Sequence, residues 1–164
     1  MTRDFRFMPQ LLRKRRLLTL LLGLGCATSA VALQAPERTA DGQPAIFGYS
    51  PVSYFTVGRA ERGSPEFSVR HEGRTYFLTS VRQQVLFRAA PDRYLSRYAE
   101  FCPYSLALGR TLPIDPTNFR IVGGQLLLFH RTEESDGLER WQESRMSEEE
   151  LLDRADRRFR LLEF

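Results

Sequence analysis

The chain has 164 residues, with 24 Lys and Arg against 20 Asp and Glu, two histidines and two cysteines. Residues 1–32 hold six of those bases and one of the acids, which leaves 18 bases against 19 acids in the remainder, so the basic isoelectric point belongs to the N-terminal segment. Nucleic-acid binding, which needs clustered basic residues to neutralise phosphates, loses its support; Lys14 is the only lysine, so no lysine nucleophile or Schiff base exists beyond that segment.

Arg13-Lys14-Arg15-Arg16 precede an apolar run from Leu17 to Leu24, and small residues continue to Ala30-Val31-Ala32. A basic region, a short apolar core and a small-x-small end are the parts of an export signal, with cleavage expected after Ala32 and a periplasmic destination. The core is short of the roughly 20 apolar residues of a membrane span. An uncleaved anchor, a lipid on Cys26 and a twin-arginine route through Arg15-Arg16 are the alternatives, and they are the only expected link to a membrane. Residues 33–44 read as a linker, and residues 45–164 as one domain with enough chain for a core of its own.

Ala45 to Tyr49 is apolar, Ser50-Pro51 turns the chain, and Val52 to Phe55 resumes, which predicts a small extended element. Phe67 and Val69 alternate with polar residues, the period of a half-buried strand. A two-residue turn at Glu72-Gly73 would pair His71 with Arg74, Val69 with Tyr76 and Phe67 with Leu78. Ser80 caps a helix with Gln83 three residues on, and Val81, Val85, Leu86 and Ala89 predict its buried face. Pro91-Asp92 turns, Tyr94, Leu95 and Tyr98 fit a short helix, and Phe101 to Leu108 fits another that stops at Gly109.

Phe119 to Val122 and Gln125 to Phe129 flank Gly123-Gly124, a second hairpin with His130 at its end. No helix follows the glycine pair, so it is no phosphate loop. Glu133 to Gly137 reads as a solvated acidic stretch, and Trp141 as part of a helix or turn. Ser147 and Glu150 form a capping box before Leu151, Leu152, Ala155, Phe159 and Leu162, a helix expected to pack on the sheet, with Glu148-Glu149-Glu150 set against its dipole. The fold class expected is α+β, two hairpins with packed helices.

Several of these stretches also resemble a known family. Gly48-Tyr49-Ser50-Pro51-Val52-Ser53-Tyr54-Phe55, Gly63-Ser64-Pro65-Glu66-Phe67, His71 to Ser80, Pro91-Asp92-Arg93-Tyr94 and Asp115 to Val122 stand in the order and spacing of the exported YHS-domain proteins of bacteria. The resemblance implies a YHS/TRASH-like hairpin-plus-helix core, and metal binding by kinship with small zinc and copper modules. The sequence departs from the pattern where those modules carry cysteines, at Leu78 or Thr79 and at Gln83 or Gln84. Ser50 stands where an aspartate is usual, Ala99-Glu100 replaces a Gly-Gly, and the segment from Gly124 to Trp141 is longer than usual.

The donors left for a metal are Cys102, His71 and His130, with acidic residues or water completing the sphere. Two imidazoles and a thiolate suit zinc or copper by ligand type. No pair has C-x-x-C or H-x-x-x-H spacing, so only folding could assemble such a site. With Cys26 in the signal, Cys102 has no partner for an intramolecular disulfide and otherwise reads as a small buried hydrophobe. A Cys102 nucleophile with a histidine base is formally available, but the sequence shows no residue to orient the base, so catalysis is not expected. The competing expectation is a metal-free domain that meets a periplasmic protein through Tyr49, Tyr54, Tyr98 and Tyr104.

Overall fold

The computed structural model describes residues 42–162, so the export segment, its alternatives and most of the linker lie outside the described residues. The first element is a 3-10 turn over Ala45–Gly48, not an extended segment, and Ile46 and Phe47 take left-handed φ angles of 54° and 52°. The coil is held from outside: Glu100 Oε1 accepts from the Ile46 amide at 2.7 Å, and Ala45 and Ile46 are buried. A single helical turn, α1 (Ser53–Thr56), follows.

β1 (Ser64–His71) and β2 (Arg74–Leu78) form an antiparallel pair. Glu72 and Gly73 both have positive φ, as a two-residue primed turn demands, and His71 faces Arg74 and Val69 faces Tyr76 as expected. The register then shifts, so that Leu78 faces Ser64 and not Phe67. The chain entering β1 is pinned close above β2: Gly63 N donates to Gly48 O at 2.9 Å, and a Cβ on Gly63 would lie 2.4 Å from the Phe77 carbonyl carbon.

α2 (Val81–Ala89) starts at Ser80, whose hydroxyl accepts from Gln83 N at 3.3 Å. The helix buries a different face from the one its apolar residues suggest. Gln83 and Phe87 point inward, while Val81 and Val85 are 62% and 60% exposed. Gln83 can enter the core because its amide is satisfied there. Its oxygen accepts from Ser50 Oγ at 2.7 Å and Thr79 N at 3.0 Å, and its nitrogen donates to Ser53 Oγ at 3.1 Å. Phe87 adds the apolar anchor, its ring 5.0 Å from that of Tyr76.

A 3-10 turn over Pro91–Arg93 falls where Pro91-Asp92 was expected to turn, but the chain that follows forms no helix to carry Tyr94 to Tyr98, and both tyrosines are buried all the same. α3 (Pro103–Ala107) is short, with Gly109 following it at φ 76°. β3 (Phe119–Val122) and β4 (Gln125–Leu128) pair in the expected register around Gly123 and Gly124, both at positive φ. α4 (Gly137–Gln142) carries buried Trp141, and α5 (Glu148–Arg160) begins at Ser147, whose Oγ accepts from Glu150 N at 3.1 Å. α5 packs chiefly on α3 and not on a sheet. Its Asp156 receives Arg97 and, at 2.9 Å, the Tyr98 hydroxyl.

The described residues are thus α+β, with two separate two-stranded sheets around one apolar cluster that runs from Ala45 to Ala155. Tyr54 and Tyr98 belong to that core and not to an aromatic surface, because their hydroxyls reach Pro116 O at 2.9 Å and Asp156. Tyr49 and Tyr104 are half-buried against it. No helix of the described residues is long and apolar enough to cross a membrane.

The rotation of α2 has a direct test in urea denaturation. Val81→Ser and Val85→Ser should each change stability by less than about 0.5 kcal/mol, whereas Phe87→Ala should cost about 3–5 kcal/mol. Equal losses at positions 81 and 87 would restore the face that the apolar residues suggest.

Candidate functional site

Cys102 ends the segment before α3, and its amide donates to Leu112 O at 3.0 Å. His130 leaves β4, carried inward with the buried run Leu126 to Phe129. Their side chains meet, with Cys102 Sγ 3.1 Å from His130 Nδ1. The other ring nitrogen lies 3.2 Å from Ser135 Oγ. With hydrogen on Nε2 the imidazole donates to Ser135 and leaves its Nδ1 lone pair to the thiol, so both ring edges are satisfied.

Burial sets the charge state of the pair. It pushes the Cys102 thiol above its ordinary value, against backbone hydrogen bonds from His130, Ser105 and Tyr104 and one from the Ser105 side chain that pull the other way. It also depresses the His130 imidazole, with Asp136 opposing and Arg110 adding to the shift. Both shifts favour a neutral thiol beside a neutral imidazole, not the ion pair of an activated cysteine. The sulfur has no exposed surface. A cleft of about 280 Å³ reaches His130 between Ser105, Arg110 and Ser135, but Cys102 does not line it. A substrate in that cleft would meet the imidazole and not the sulfur.

The scaffold under the pair is a segment whose sequence reads as merely acidic and solvated. Asp136 is in fact its hub. Its Oδ1 accepts from the Leu138 and Glu139 amides, capping α4, and from Asn118 Nδ2 at 2.8 Å, while Oδ2 accepts from Arg131. Asn118, buried in the core, uses the same nitrogen to hold His130 O at 3.0 Å, which Gly137 N also reaches at 2.9 Å. Burial alone would raise the Asp136 carboxyl, but the donors from Asn118, Arg131, Glu139 and Leu138 outweigh it and hold the group at about 2. Gly137 supplies the space: a Cβ there would lie 2.5 Å from His130 Nδ1 and 2.9 Å from Cys102 Sγ. The signal that could have found Asp136 is its place as an N-cap ahead of Gly137-Leu138-Glu139.

Of the three donors named from sequence, folding brings Cys102 and His130 together and leaves His71 apart. The His71 ring stands edge-on to Phe87 at 6.0 Å, and its Nε2 is buried without a hydrogen bond, 3.9 Å from an Asp92 oxygen. Among the described residues no three His, Cys, Asp or Glu side chains form a metal-sized group. The four protein ligands usual for structural zinc are therefore not assembled there. A thiol and an imidazole 3.1 Å apart do lie within reach of one ion, since metal bonds of about 2.3 Å to sulfur and 2.0–2.1 Å to nitrogen together exceed that separation. Of the positions Leu78 or Thr79, Gln83 or Gln84 and Ser50, where the resemblance would place cysteines and an aspartate, Thr79, Gln83 and Ser50 form a neutral hydrogen-bonded knot at the start of α2. Comparison with family models, curated proteins and solved structures gives no match to this chain.

Gly137→Ala should force the imidazole off the sulfur. The urea midpoint should fall by the equivalent of about 1–3 kcal/mol, and Cys102 should react faster with a thiol reagent; unchanged stability and reactivity would mean the approach is not constrained. Asp136→Ala should cost about 1 kcal/mol at neutral pH through the lost cap. Because the folded carboxyl is depressed from 3.8 to about 2, its contribution is present above the ordinary value and is lost as pH falls through about 2. The gap between wild type and variant in thermal melts should narrow over that interval, and a gap that widens on acidification would contradict the assignment.

Proposed function

We propose that this chain is an exported, periplasmic protein with a YHS-like domain, and that it binds a soft monovalent metal, copper(I), at Cys102 and His130. The observation that carries the reading is the 3.1 Å contact between a thiol and an imidazole whose far nitrogen is already held by Ser135. A ligating histidine is usually oriented through its other nitrogen in this way, and thiolate with imidazole is a donor set that favours copper over hard cations. Copper(I) needs fewer donors than zinc, and because a two-donor copper(I) site is near-linear the sulfur and the ring would have to move apart from 3.1 Å to hold it. When bound, the ion is cargo held by the thiolate and the imidazole, and it takes the place of the thiol proton. Ser135 fixes the ring, Gly137 lies against both donors where a Cβ would collide with them, and Asn118, itself held by Asp136, bonds the His130 carbonyl.

The second reading is a metal-free periplasmic interaction domain. Its support is the exposure of Val81 and Val85, one turn apart on α2, which gives a protein partner an apolar face at a place other than the tyrosines.

Anaerobic copper(I) titration against a competing chelator separates the two, in a Cys26→Ser background so that Cys102 is the remaining thiol. One equivalent should bind. Cys102→Ser and His130→Ala should each weaken binding more than about tenfold, while His71→Ala should leave it unchanged. No binding, or binding that survives Cys102→Ser, would remove the metal reading and leave the interaction domain.

A further inference from the structure

Four non-glycine residues of the described chain have positive φ, and three of them, Ile46, Glu72 and Ala99, line one cleft of about 230 Å³. Glu72 owes its angle to the hairpin turn. Ile46 and Ala99 do not, and a branched residue at positive φ is a true outlier that persists only where its surroundings enforce it. Glu100 is what enforces it. One oxygen of its carboxylate, Oε1, accepts from both the Ile46 amide and the Arg74 guanidinium, so the residue that follows Ala99 stitches the first turn to β2.

The cleft that this stitching creates has an unusual lining. Two guanidinium groups, Arg74 and Arg97, balance two carboxylates, Glu72 and Glu100. Arg97 gives each of its three nitrogens to Asp156 or Gln125, whereas Arg74 gives Glu100 a single Nη2 and has further donors on its planar fork. Ser96 also lines the cleft, and its hydroxyl is buried with no hydrogen-bond partner, a cost of about 1–3 kcal/mol unless something completes it. Tyr76, Leu95 and Phe159 supply apolar walls. The volume is below the ~300–1,000 Å³ of drug-sized sites, which suits a small solute.

From this we infer that the cleft binds a small zwitterion with an apolar body, of the class of a free apolar amino acid. The solute's carboxylate meets the unspent donors of Arg74, and the Ser96 hydroxyl, buried in the cleft wall, turns on its side chain to join it. Its ammonium group meets Glu72 and Glu100, and its side chain lies on Tyr76, Leu95 and Phe159. The cleft shares no lining residue with the Cys102 and His130 pair, so the inference stands independently of metal binding.

Isothermal titration of the purified protein with phenylalanine and leucine tests it, beside phenylpropionate and phenethylamine, each of which lacks one of the two charges. The amino acids should bind, and each single-charge probe should bind at least about tenfold more weakly, the equivalent of one charged hydrogen bond. Arg74→Gln should weaken the amino acids by a similar factor. Ser96→Ala should weaken them several-fold without lowering the melting temperature, since it removes an unsatisfied group, and Cys102→Ser should bind them normally. No heat at millimolar concentration, single-charge probes that match the amino acids, or an unchanged affinity in folded Arg74→Gln and Ser96→Ala would each overturn the inference.

Discussion

One carboxylate, that of Glu100, joins the first turn of the domain at Ile46, the first hairpin at Arg74 and the segment that leads into α3. A joint of this kind is needed because the two sheets share no strand, and a two-stranded ribbon is marginal by itself in water. Elsewhere the same device recurs. Tyr54 OH donates to Pro116 O between α1 and the approach to β3, Asn118 holds the carbonyl of His130, and Asp156 gathers Arg97 and Tyr98 onto α5. Each of these spans a long stretch of chain and satisfies a group that would otherwise be buried without a partner. The apolar cluster supplies the bulk of the stabilisation, and the polar joints decide which segments meet.

That division explains what could be read from the sequence. Period-two alternation, a two-residue turn and Ser at a helix start are local signals, so the hairpins at Glu72-Gly73 and Gly123-Gly124 and the caps at Ser80 and Ser147 were legible. The face of α2 was not. Hydrophobic periodicity treats glutamine as a surface residue, but Gln83 is wanted inside because Ser50, Ser53 and Thr79 present matching groups from elsewhere in the chain. Phe67 likewise failed to meet Leu78 because Gly63, outside the pattern, brings backbone against Phe77. Such misses share a cause, namely partners far apart in sequence.

The same limit governs the candidate site. Cys102 and His130 could be named as donors from residue type alone, but not as neighbours, since 28 residues of chain separate the start of α3 from the end of β4. Their support was read as solvent-facing charge, and Asp136 became visible as a hub only once Asn118 and Arg131 were seen to converge on it. His71 fails as a third donor for a physical reason. It sits at the tip of the first hairpin, tied to the Glu72-Gly73 turn and packed edge-on to Phe87, and the sheets are not continuous.

Ala99 and Glu100 bring these arguments to one point. The resemblance would put two glycines there, and glycine takes positive φ without penalty, whereas Ala99 at φ 50° carries a strain of about 1–2 kcal/mol. Ile46, also left-handed, adds a comparable amount. Hydrogen bonds to a charged acceptor contribute about 1.5–3 kcal/mol each, and Glu100 accepts two, from the Ile46 amide and from Arg74. On these figures the two bonds match or exceed the combined strain of about 2–4 kcal/mol, so the Glu100 carboxylate is sufficient to hold both residues at positive φ. The same residue sets a fixed carboxylate on the wall of a cleft that also holds an unspent guanidinium fork and an unsatisfied hydroxyl.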